Sequence, residues 1–135
     1  MMELNQLSLA RQMDMVVREL SDELSSLSSG TVFVQIRNNA IGKFGIRHNP
    51  IESRNGEMQQ PQQGLTSVQQ RSFRNMAIEA LKYKTSWTHG EICFDFTVRQ
   101  QAVVISVQFE SHYNMANLLI RMNQRHTYRE KNLDL

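Results

Sequence analysis

At 135 residues the chain has the length of one domain with room for a sizeable core, and its 15 basic and 13 acidic side chains leave a net charge of +2. That balance is too small to imply nucleic acid, the single cysteine Cys93 excludes an internal disulfide, and no apolar run approaches the roughly 20 residues that a membrane-spanning helix needs. No charged segment followed by an apolar stretch marks a secretory leader, so the expectation is a cytoplasmic protein with a reduced thiol. The charge is nevertheless uneven. Residues 1–29 hold two basic and five acidic side chains, against eight basic and three acidic in residues 37–84, a dipolar distribution suited to steering a partner or aligning two subunits.

Residues 3–27 read as one amphipathic helix. Ala10, Met13, Val17, Leu20, Leu24 and Leu27 step by alternating threes and fours, and Leu9 and Val16 widen the stripe toward the breadth needed to pack on a sheet. Ser28-Ser29-Gly30 then ends it, with Gly30 able to serve as a left-handed cap. In the strand that follows, Val32, Val34 and Ile36 alternate with Phe33, Gln35 and Arg37. Phe44 and Ile46 are the apolar choices beyond the turn. A three-residue loop, Asn38 to Ala40, places Val34 opposite Phe44 and Val32 opposite Ile46, gathering the apolar set on one face. Residues 49–64 contain both prolines, two glycines and four glutamines and read as a long surface loop.

Thr66 and Gln69 form a capping box, opening a helix with Phe73, Met76, Ala77, Ala80 and Leu81 on one face. The clearest signal follows. Ile92, Phe94, Phe96 and Val98, then Val103, Ile105, Val107 and Phe109, alternate with mostly polar neighbours across Glu91 to Glu110. Pairing Val98 with Val103, Phe96 with Ile105, Phe94 with Val107 and Ile92 with Phe109 keeps all eight on one face. Gln suits positive φ poorly, so a four-residue turn over Arg99 to Ala102 is expected. Ser111 is placed as the cap of a third helix that turns Met115, Leu118, Leu119 and Met122 inward, and residues 127–135 as a frayed tail. The strings Asn75-Met76-Ala77 and Asn114-Met115-Ala116 suggest a duplicated half. The expected fold is therefore a single α+β domain over residues 1–135, in the order α-ββ-α-ββ-α. Its four-stranded antiparallel sheet is covered by helices mainly on one face.

No residue pattern points to catalysis. His48, His89, His112 and His126 lie at no metal-ligand spacing, Cys93 has no evident base beside it, and Asp95 and Glu110 are kept apart by register. Phosphate-loop and nucleophile-elbow motifs are missing, so the chain is expected to be no enzyme, with no cofactor, no metal and no small-molecule substrate. Ile41-Gly42-Lys43-Phe44-Gly45 resembles the Gly-x-x-Gly segment of KH domains, which implies a nucleic-acid backbone clamp. That clamp must join two helices, whereas Ile46 to Pro50 starts none, and strand glycines at a bulge are the simpler reading. The polar face of the first hairpin gathers Phe33, Gln35, Arg37, Ile41, Lys43 and Arg47, an aromatic among cations that is the minimal stacking platform for single-stranded nucleic acid. Trp87, between helix and strand, is either a partner anchor or a plug for the sheet edge. The element order is loosely similar to that of small dimeric secretion chaperones, which implies self-association and a protein partner. Two functions follow as expectations. The first is a protein–protein interaction or regulatory module acting as a homodimer. The second is a single-stranded nucleic-acid binder using Phe33, Arg37, Lys43 and Arg47 with Arg54.

Overall fold

In the computed structural model, residues 7–58, 63–84 and 86–133 are described, with side chains as far as Arg125. Apolar alternation dictates the centre of the molecule. β1 (Ser29–Arg37), β2 (Ala40–Arg47), β5 (His89–Arg99) and β6 (Ala102–Ser111) form one antiparallel sheet in the order β2-β1-β5-β6. The two hairpins therefore join through β1 and β5, which pair from Ser29↔Thr97 to Arg37↔His89. A small ribbon, β3 (Ser53–Arg54) with β4 (Glu57–Met58), turns on Asn55-Gly56, both at positive φ. Asn-Gly is the strongest short-range hairpin signal, and it sits inside the stretch read from sequence as loop. Residues 59–62 of that stretch lie outside the described residues.

The expected cross-strand pairs are present. Val32 faces Ile46 and Val34 faces Phe44, while Val98, Phe96, Phe94 and Ile92 face Val103, Ile105, Val107 and Phe109. Both turns differ from expectation. Arg37 pairs with Ala40 across a two-residue Asn38-Asn39 turn, and the parity is restored by a bulge in which Gly42 and Lys43 together oppose Gln35. Arg99 pairs with Ala102, so the second turn is Gln100-Gln101 alone, with φ of 51° and 68°. Those angles belong to a type I′ turn, whose twist matches the flanking strands, and the paired strands impose it on two glutamines.

One face of the sheet is covered by α1 (Leu9–Glu19), a short α2 (Ser21–Leu24) and α3 (Ser67–Ala80). The expected single helix over 3–27 is thus interrupted at Leu20, and residues 1–6 lie outside the described part. Ser8 caps α1 by accepting from the Arg11 amide at 3.1 Å. Met13, Val16, Val17 and Leu24 are buried, while Ala10 is exposed. Gly30 is not a helix cap; it is the second residue of β1. The capping box of α3 forms as expected, with Thr66 Oγ1 accepting from the Gln69 amide at 3.2 Å and Gln69 Oε1 accepting from the Thr66 amide at 2.9 Å. Phe73 meets the rings of Phe94 and Phe96 edge-on, with centroids 5.8 and 5.7 Å away, joining α3 to the sheet at the middle of the core.

α4 (Met115–Leu133) departs most from expectation. Ser111 is still strand; Asn114 opens the helix instead, its Oδ1 accepting from the amides of Ala116 at 2.8 Å and Asn117 at 3.3 Å. The helix runs through most of the stretch expected to fray. Its apolar residues do not turn inward: Met115 is 67% exposed, Leu118 39%, Leu119 52% and Met122 52%. The duplicated Asn-Met-Ala strings also part company, one lying in the middle of α3 and the other at the start of α4.

Candidate functional site

The outer face of the sheet was the first candidate, and its residues are placed by strand alternation. Phe33 stands opposite Gly45 on β2 and Cys93 on β5, and Thr31 opposite Arg47 and Asp95. A Cβ at Gly45 would lie 2.9 Å from the Phe33 ring, so the glycine leaves room for the ring to cross the neighbouring strand. The Arg47 guanidinium lies 5.0 Å from the Phe33 centroid and 3.6 Å from Glu91. Phe33 is therefore packed between a strand and a cation. Arg37 Nε donates to His89 Nε2 at 3.1 Å, and Thr31 Oγ1 donates to Asp95. Lys43 is exposed at the bulge.

Two of the candidate residues lie elsewhere. Ile41 pairs with Ile36 on the covered face and is buried, because the bulge after it reverses the alternation expected of β2. Trp87 is only 2% exposed and packs 6.1 Å from the Phe109 ring, with Lys84 Nζ 4.8 Å from its own centroid. It plugs the sheet edge, and no exposed anchor is formed. Its Nε1 is buried without a hydrogen-bond partner, beside a cleft of about 700 Å³ whose lining includes Leu9, Asn39, Ile78 and Leu81.

The outer face thus interleaves Arg37, Lys43 and Arg47 with Glu91, Asp95 and Glu110. Such interleaving breaks the continuous positive surface that a phosphate backbone follows. Cys93 lies among these charges. Burial pushes its thiol above the ordinary range and the Glu91 charge adds to the rise, while Arg47 opposes it. A thiol held protonated is a poor nucleophile. Among the described residues, no group of three or more His, Cys, Asp or Glu is placed to hold a metal ion, and no helix is long and apolar enough to cross a membrane.

The chain matches no family model, no curated protein and no solved structure.

A second surface was not read from the sequence as a site. Met115, Leu118, Leu119 and Met122 fall at i, i+3, i+4 and i+7, so they line one face of α4. On β6 the row facing the helices (Val103, Ile105, Val107 and Phe109) is only partly buried, whereas Phe94 and Ile92 beside it on β5 are fully buried. The spacing on α4 was legible; which way the helix would leave the sheet was not.

Proposed function

We propose that this chain is a non-catalytic protein–protein interaction or regulatory module of the cytoplasm that works as a homodimer. The supporting observation is the exposed apolar face of α4. Scattered exposed hydrophobes are ordinary, but four at helical spacing form a continuous stripe of the kind that marks an interface. Each such side chain gains about 1.5–3 kcal/mol on full burial, so water is a poor surrounding for the stripe. The dipolar charge of the sequence adds orientation to association.

Sedimentation at micromolar concentrations is expected to give a species of twice the 15.7 kDa chain mass. A melting temperature that rises with protein concentration is the expected thermodynamic counterpart. A 15.7 kDa species at every concentration, with no protein captured from lysate, sinks the reading. The rival, single-strand binding through Phe33, Arg37, Lys43 and Arg47 with Arg54, draws less support, since Phe33 and Arg47 already engage each other and Arg37 engages His89. It would be revived by oligonucleotide affinity that falls steeply with salt and is lost in Arg37→Glu/Lys43→Glu.

A further inference from the structure

We infer that α4 of one copy lies along the half-covered β6 side of a second copy's sheet, and that the exchange is reciprocal. The inference rests on the self-association reading above and adds its geometry. α3 lies over this flank of the sheet but covers it only in part. Gln69 Nε2 donates to the Gln101 carbonyl at the β5–β6 turn, which shows the side of α3 that looks toward β6. Met76, one heptad on and so on the same side, is 40% exposed. Together with the partly buried row on β6, it lines an apolar trough along the strand.

The complementary surface is the apolar face of α4 on the same chain, and the two do not meet. Only three residues, His112 to Asn114, separate β6 from α4, and the Asn114 cap sets the first turn of a helix whose apolar side chains stay in solvent. Dimensions agree. The eight residues Met115 to Met122 that carry the stripe span about 12 Å, which fits within the roughly 33 Å of the ten residues of β6. The exposed fractions of Met115, Leu118, Leu119 and Met122 amount to roughly 400 Å² per helix. The trough exposes less than the helix face, so two exchanged helices bury on the order of 1,200 Å², the lower end of a standard specific interface.

A second copy is the occupant favoured over a foreign protein, because trough and helix belong to one chain. A foreign partner filling either leaves the other bare, whereas a two-fold exchange covers both and closes.

The test mixes full-length copies carrying Val107→Cys with copies carrying Leu119→Cys, both with Cys93→Ser, under a short bismaleimide. A cross-linked pair containing one chain of each kind is expected, in greater yield than from either variant alone. Leu119→Glu/Met122→Glu is expected to weaken the dimer about tenfold or more with the circular dichroism of the sheet unchanged. Should Val107→Cys fail to fold, Ile105→Cys on the same row replaces it. A dimer that survives the double glutamate variant and gives no mixed cross-link overturns the exchange and leaves self-association standing. A monomeric wild type overturns both. Cross-linking within a single chain of Val107→Cys/Leu119→Cys overturns the exchange in favour of a helix folded onto its own sheet.

Discussion

Gln12 is a buried amide that ties three segments together. Its Nε2 donates to the carbonyls of Leu7 at 3.2 Å and Asn39 at 3.3 Å, and its Oε1 accepts from the Ile41 amide at 2.7 Å. A buried backbone N–H without an acceptor costs about 1–3 kcal/mol, so Gln12→Ala is expected to lower the urea-unfolding free energy by that amount. A loss below about 0.5 kcal/mol would mean that water satisfies Ile41 as well as the side chain does. Cys93 offers a pH-dependent counterpart. Its thiol keeps its proton to higher pH in the folded than in the unfolded chain, because burial and Glu91 disfavour the thiolate. Unfolding therefore releases a proton once pH exceeds the ordinary thiol value, and stability falls as pH climbs from there toward the raised value. Wild type is expected to lose more stability than Cys93→Ser over that alkaline range, and equal losses in both proteins would contradict the assignment. Neither residue announced its role in the sequence. The acceptor role of Gln12 depends on an amide 29 positions away in the chain, and the thiol's surroundings come from three adjacent strands.

At the scale of elements, what could be read was what depends on alternation, and what could not was what depends on backbone angles. Apolar parity selected the right partners for Val32, Val34 and the eight inward residues of the second hairpin, because any one-residue slip would expose them. The same parity is compatible with a longer loop or with a tight turn plus a bulge, and side-chain pattern does not distinguish the two at Gly42-Lys43. The second turn shows the cost of the tight choice. Gln100 and Gln101 both hold left-handed angles, which cost a non-glycine residue roughly 1–2 kcal/mol each. Gln101→Gly relieves that strain and keeps the main-chain carbonyl that Gln69 uses. After the added flexibility of the unfolded chain is counted, a net gain of about 0.5–1 kcal/mol is expected by urea unfolding. A destabilised variant would show that the Gln101 side chain contributes contacts beyond its backbone. The capping box of α3 was legible for the opposite reason, since Thr66 and Gln69 act on amides within their own turn.

For the whole molecule, the architecture followed from a one-faced sheet that demands cover, and the candidate surface followed from where that cover stops. The apolar stripe of α4 was visible as spacing, but a stripe states only that a helix needs an apolar neighbour, not whose neighbour it is. The basic face of the first hairpin failed to cohere for a related reason: its carboxylate neighbours come from β5 and β6, more than 40 residues along the chain. One border of the sheet carries a further consequence. β6 is ten residues long and contains no proline, lysine or bulge, the usual devices by which natural sheets discourage strand addition. On the exchanged arrangement inferred above, a protease cut ahead of Met115 would remove the cover that each copy lends to the greasy side of its partner's β6. The unpaired rim of β6 would then border a bare apolar face, and trimmed molecules are expected to add strand to strand and grow fibres faster than the full chain.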